Sequence, residues 1–337
     1  VVGASGYVGG ELIRLLLAHP YVSLRSVYGL GSIGMSVDSL HPALRGFIDL
    51  HVEALPEAQE SWPELDVVFL SLPHGESMKL VPRLPDAPRV IDLSGDFRVS
   101  DNELFERYYG FPHIAGDWHQ KFTYGLTELF ASRVKESRRI ANPGCFATAC
   151  LLGVAPLVRE GLVEPRIVID AKTGSSGSGL KPQKSTHHPE RAESFVAYKM
   201  FRHQHQAEMA EALSMYAPQW QGKVILQAHS APMVRGIFAS IYAQLLPGVT
   251  EADVAKAYRE HYSGAPFVRQ IEGSPNVRYV KGTNFADLSF AVDGDSLAVF
   301  VAIDNLGKGA AGQAIQNLNL MFGLEEKTGL WQVGMIP

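Results

Sequence analysis

The opening stretch "VVGASGYVGGELIRLLL", residues 1–17, constrains the fold more than any other. Two β-branched residues run into glycines at positions 3, 6 and 9. A helical pattern follows, with Val8, Leu12, Leu15 and Leu16 on one face and Pro20 as its stop. A strand that turns this tightly into a helix reads as the first half of a βα unit, and such units build parallel sheets. Glycines at the turn let backbone N–H groups approach a pyrophosphate at the helix N-terminus. The three-residue spacing is a shifted variant of the usual dinucleotide fingerprint, and a purely structural glycine turn is the bland alternative. The residues expected to touch a dinucleotide here are Gly3, Ser5, Gly6, Tyr7, Val8 and Gly9, with Ser5 adding a hydroxyl.

The pattern recurs. "DVVFLSLPHG" from Asp66 and "RVIDLSGDFR" from Arg89 are apolar runs that end in polar loops, as buried parallel strands do. "VSLRSVYGL" reads as a strand between them and the first helix. Strands alternating with helices predict a Rossmann-type doubly wound sheet, its ligand crevice at the C-terminal strand ends. NAD sites place an acid after the second strand. The stretch "YGLGSIG" has none, which favours NADP, with Ser32 the nearest group for a 2′-phosphate.

After residue 145 the texture changes. "RIVIDAKTGSSGSG", "GKVILQAHSAPMVRGIFASIYAQLL" and "FADLSFAVDGDSLAVFVAID" read as strands, with Asp293-Gly294 as a hairpin turn. They predict a second α+β domain on a mostly antiparallel sheet. An amphipathic helix from about Gly309 to Phe322 should pack back on the first domain. The expected boundaries are 1–144 with 305–337 for the dinucleotide-binding domain, and 145–304 for the catalytic and oligomerisation domain.

Composition narrows the class. The chain has 337 residues, 46% apolar and 19% charged, with a net charge of −5 and scattered basic residues, so it carries no footprint for nucleic acid. The apolar run from Ala147 to Val158 falls short of the roughly 20 residues needed to span a bilayer. No charged segment followed by an apolar one opens the sequence, and two cysteines make no disulfide framework, so a cytoplasmic setting is expected.

One of those cysteines sits in "NPGCFATA". If a helix begins near Gly144, Cys145 lies in its first turn, where N–H groups and the helix dipole favour a thiolate and can hold an oxyanion. Cys150 reads as core. A thiolate attacking an acyl group needs a proton carrier, and "FRHQHQAEM" offers His203 and His205, with His187 and His188 of "THHPE" as a second set. A metal site on the same histidines lacks a third ligand of matching spacing, so no metal is expected.

Together, "GASGYVGGELIRLL", "SLPHG", "DLSGDFR", "YGLTEL", "NPGCFATA", "RHQHQAE", "PMVRGI" and "DNLGKGAAGQA" resemble, in order, the N-acetyl-γ-glutamyl-phosphate reductases of the semialdehyde dehydrogenase superfamily. The resemblance implies that NADPH reduces an acyl phosphate to an aldehyde, releasing inorganic phosphate, in arginine biosynthesis. By the same motifs Cys145 is the nucleophile and His205 the acid/base, with His203 in reserve at the substrate. Glu208 either orients His205 or is a solvated helix-face carboxylate. The resemblance further assigns Arg98, Asn142, Ser175 and Arg235 to the substrate, and Ser71, Pro73, Ser178, Gly179 and Asn305 to the cofactor. Gly309, being small, is expected to let a helix start approach the nicotinamide. A homo-oligomer, dimer or tetramer, built on the antiparallel sheet is also implied. Two departures are visible. Leu30-Gly31-Ser32 stands where many members have a Ser-Arg pair, and "STHHPERAES" resembles the branch acting on carrier-bound α-aminoadipyl phosphate in lysine synthesis. That substrate is the alternative reading; a non-catalytic dinucleotide-binding protein is the third.

Overall fold

Val2 lies inside a parallel sheet. Its strand neighbours are β1 (Val27–Tyr28) with β2 (Val52–Glu53) beyond it on one side, and β3 (Val67–Leu70) on the other. Val2 N–H donates to Phe69 O and Tyr28 N–H to Val1 O, each at 2.8 Å. Past β3 come β4 (Arg89–Asp92), β6 (Arg139–Ala141) and, at the edge, β5 (Thr123–Tyr124), all parallel. Strand order therefore reverses at Val2, and the glycine turn leaves the sheet at that switch point, where open α/β sheets bind ligands. Of "VSLRSVYGL", only Val27 and Tyr28 pair in the ladder.

The computed structural model describes residues 1–334 and forms two units. The first unit holds this sheet and comprises Val1–Pro143 and Ala310–Trp331; the second comprises Gly144–Gly309 and continues from Gln332. The second crossover thus falls after Gly309 rather than after residue 304. Asp304 and Asn305 stay with the second unit because their side chains bond to Arg235 and to Gly236 within it. The segment from Gln332 also leaves the first unit, and residues 335–337 lie outside the described residues.

The closing helix of the first unit, Gly312–Met321, departs from the amphipathic expectation: all ten residues are buried. Its polar positions are matched by partners. Gln313 Nε2 donates to Gly125 O at 3.0 Å, Asn317 Nδ2 to Gly125 O at 2.8 Å, and Asn319 Nδ2 to Thr328 O at 2.9 Å. Buried amides are tolerated when bonded in this way.

The second unit is built on a seven-stranded sheet. Its strands are β7 (Arg166–Thr173), β8 (Val196–Tyr198), β9 (Lys223–Ser230), β10 (Ile237–Gln244), β11 (Val268–Gln270), β12 (Ala286–Asp293) and β13 (Ser296–Ile303). They lie in the order β11-β12-β13-β10-β7-β9-β8. Pairs β7–β9 and β11–β12 are parallel and the rest antiparallel. The β12–β13 hairpin turns at Gly294, whose φ of 61° is left-handed, as a two-residue turn requires. One face of the sheet carries the helix Cys145–Arg159. This helix is buried from Phe146 to Val158, and a Cβ on its Gly153 would fall 2.3 Å from Ile241 Cδ1, so a larger residue there would have to displace the tip of that β10 side chain. Alternate residues Ile167, Ile169 and Ala171 of β7 are fully buried, whereas Val168 and Tyr242 on the other face are exposed. Among the described residues no helix is long and apolar enough to cross a membrane.

Candidate active site

In the first unit, Gly3 takes a φ of 86°, and a Cβ there would lie 2.1 Å from Ser71 O. Gly9 is equally restricted: its Cβ would meet Gly3 O at 2.3 Å. Both positions need glycine, one for conformation and one for close packing of helix on turn. The helix Tyr7–Leu17 starts after Gly6 with no side-chain cap, so its first amides face the turn. Ser5 and Val8 are half-buried and Tyr7 is exposed around that opening. Ser71 N–H donates to Val2 O at 2.8 Å, which holds the loop toward exposed Pro73 beside Gly3. The cradle suits a pyrophosphate. Ser32 is half-buried in the loop after β1.

Arg98 and Asn142, which the resemblance assigns to the substrate, are engaged within the fold. Arg98 Nε donates to Asn142 O at 2.8 Å and an Nη to Leu93 O at 2.7 Å, which ties the loop after β4 to the end of β6. Asn142 is fully buried: its Oδ1 accepts from Asn317 Nδ2 at 3.0 Å and its Nδ2 donates to Ala310 O at 3.1 Å. Beneath Arg98 lies a carboxylate pair. Asp92 accepts from Ser77 Oγ and Ser94 Oγ, each at 2.7 Å, while Asp96 accepts from Gly75 and Met78 N–H. Complete burial, then the neighbouring charge of Asp96, raises Asp92 to about 7.

In the second unit, Cys145 is the first residue of its helix, after Gly144 in extended conformation. Cys145 is half-buried, while Cys150, one and a half turns on, is sealed. Burial, then the charges of Cys145 and Glu208, pushes the Cys150 thiol far above the ordinary cysteine range. His203 and His205 open the helix Gln204–Tyr216. His203 caps it: its Nδ1 accepts from His205 N–H at 3.2 Å. The His205 ring lies flat against Gly144, where a Cβ would fall 2.3 Å from Nε2. Both rings meet Phe146 edge-on. The cap role of His203 and the contact of His205 with Gly144, the residue before Cys145, separate the two histidines. His187 and His188 are exposed on another turn. Among the described residues no group of three or more metal-ligating side chains could hold an ion.

Glu208 was ambiguous in sequence. It is fully buried, accepts from Gly144 N–H at 2.7 Å through Oε1, and keeps Oε2 at 3.9 Å from His205 Nε2. The solvated reading is thus excluded. Asp304 was missed altogether. Its buried carboxylate binds Arg235 Nε at 2.6 and 2.7 Å and accepts from Leu306 N–H at 2.8 Å and Gly307 N–H at 3.0 Å. Arg235 is therefore held through Nε by an internal ion pair, which fixes where its guanidinium lies. Asn305 is likewise engaged: its Oδ1 accepts from Gly236 N–H at 2.6 Å, and its Nδ2 donates to Ser176 Oγ at 3.0 Å. That amide fastens the Gly174–Gly179 loop, leaving half-buried Ser175 and exposed Ser178 and Gly179 to reach outward. Gly309 packs on Cys145, a Cβ there falling 2.8 Å from Cys145 Cβ. Only the residue spacing of "DNLGKG" hinted at this turn. Tyr198 had no sequence signal. Its hydroxyl is raised above the usual tyrosine range by burial and by the charge of Cys145.

A dinucleotide cradle in one unit and a helix-capped cysteine with a histidine and a buried carboxylate in the other define the semialdehyde dehydrogenase class. The family models agree: "Semialdehyde dehydrogenase, NAD binding domain" matches residues 1–137 and "Semialdehyde dehydrogenase, dimerisation domain" matches 145–305. Within that class the chain belongs to the N-acetyl-γ-glutamyl-phosphate reductase family. It is 42% identical to the reductase of that name from Methanosarcina barkeri, over 100% of this chain and 98% of the relative. The corresponding reductases of Methanocaldococcus jannaschii and Dehalococcoides mccartyi are 41% and 40% identical at the same coverage. The fold is also that of aspartate semialdehyde dehydrogenase II from Vibrio cholerae, with a TM-score of 0.72 at 16% identity over 96% of this chain and 97% of that one. The Candida albicans aspartate semialdehyde dehydrogenase gives 0.68 at 16%, over 95% and 97%.

Proposed function

We propose that this chain reduces N-acetyl-γ-glutamyl phosphate to N-acetylglutamate semialdehyde with NADPH, through a thioester on Cys145, in arginine biosynthesis. The observation that carries the reading is Cys145 at a helix start, with His205 packed against the preceding glycine and Glu208 holding that glycine's N–H. The Cys145 sulfur attacks the acyl carbonyl; the new S–C bond forms as the C–O bond to phosphate breaks, and inorganic phosphate leaves. Amides of the helix's first turn face the oxyanion of that tetrahedral step. His205 takes the thiol proton before attack and returns it to the sulfur when the hemithioacetal collapses to the aldehyde. Glu208, beside Nε2, favours the imidazolium that exists between those steps.

Gly3, Ser5, Gly6 and Gly9 would hold the dinucleotide, which when bound would supply the hydride for reduction of the thioester. NADP rather than NAD is favoured because the loop after β1 offers Ser32 and no acid for a ribose 2′-hydroxyl. A second copy of the chain is expected on the uncovered face of the seven-stranded sheet. There Val168 and Tyr242 stand 38% and 48% exposed, beside a groove of about 610 Å³. An oxidisable nucleophile with no disulfide fits the cytoplasm.

The test is the reverse reaction. Wild type should oxidise N-acetylglutamate semialdehyde in the presence of phosphate and NADP, and Cys145→Ser should lose that activity while still binding NADPH. Turnover retained by Cys145→Ser would refute the thioester route.

A further inference from the structure

We propose that Arg45 binds the 2′-phosphate of the dinucleotide; this rests on the reading of the cofactor as NADP(H). A dinucleotide at the glycine turn presents its adenosine ribose to the end of β1. The residues that follow, from Gly29 to Leu44, contain no lysine or arginine, and Arg45 is the first. The short turn that carries it is fastened to the cradle. His41 Nε2 lies 2.8 Å from Ala4 O, and its ring occupies the space over Gly10, where a Cβ would fall 2.5 Å from Cε1. Leu44 is buried in one cluster with Ala4 of the glycine turn, Ile13 of the first helix and Val27 of β1. Arg45 follows directly, so its backbone is anchored beside both the phosphate cradle and the strand that receives the ribose.

The side chain is 73% exposed. Among the described residues its ion-pair partner is Asp38, at 3.9 Å between Nε and Oδ2, too long for a hydrogen bond. Such a pair contributes little and is easily exchanged. A guanidinium meets a phosphate monoester bidentately, whereas Ser32 offers one hydroxyl. Leu30, Ile33 and Phe47 stand 59%, 57% and 75% exposed on the two flanking loops, apolar surface suited to the adenine of the same ligand. Asp38 works against the phosphate by like charge.

The experiment is a fluorescence titration of NADPH and NADH into wild type, Arg45→Met and Asp38→Asn, without substrate. Arg45→Met should weaken NADPH by about 10- to 100-fold, the loss of hydrogen bonds to a charged group, and leave NADH within about twofold. Asp38→Asn should tighten NADPH. If wild type prefers NADPH and Arg45→Met keeps that preference, the assignment of Arg45 is overturned and the NADP reading stands. If Arg45→Met weakens both nucleotides alike, Arg45 supports only the turn and the assignment is overturned. If wild type binds both nucleotides equally, the NADP reading fails too.

Discussion

At the scale of single residues, candidate chemical groups could be named from sequence, but their partners within the fold could not. Cys145 stood out as a candidate because its place at a helix start is a local signal, whereas His205 was singled out from His203 only by resemblance to a family motif. Arg98, Asn142, Arg235 and Asn305 were expected to meet ligands because their functional groups suit anions and amides. Each also bonds within the fold, to partners that can be far away in sequence: Asn142 and Asn317 are 175 residues apart. Nothing local reports such a pairing. Glu208 is the converse, a carboxylate whose surroundings could be read either way in sequence and are fixed by its burial and its bond to Gly144. His205→Asn should lower kcat by about 10²- to 10⁴-fold, the usual contribution of an acid/base group, with KM little changed. Steady-state kinetics check this, and an unimpaired variant would move the proton carrier elsewhere.

At the scale of elements, the βα turn and the β12–β13 hairpin were legible because glycine spacing and strand period are short-range signals. The short strands β2 and β5 were not, since two-residue ladders leave no period to read. The turn at Gly307–Ala311 was also hidden. It is a π-turn, whose first amide is held by Asp304 and whose Gly309 backs Cys145. Such turns recur at functional sites. Gly309→Ala would drive a methyl to 2.8 Å from Cys145 Cβ, so the helix start must shift. A displacement of that kind can lower kcat by about 10²-fold. Retained NADPH binding with unchanged near-ultraviolet circular dichroism would separate this from unfolding.

At the scale of the whole molecule, the doubly wound sheet and the second, mostly antiparallel sheet followed from sequence texture. The crossover after Gly309 did not, because side-chain bonds of Asp304 and Asn305 decide it. Stability should carry the mark of Asp92. An aspartate raised to about 7 in the fold and near 4 when unfolded binds more protons in the native state between those values. Its contribution is therefore fully present at the acid end and fades as pH climbs through 7. Thermal unfolding should show Tm rising as pH falls from about 7 to 5, and Asp92→Asn should flatten that slope. Finally, the sealing of Cys150 leaves one reachable sulfur in a chain of two. A stoichiometric thiol reagent thereby counts competent molecules, and any second equivalent consumed gauges how much of a preparation has lost its native shape.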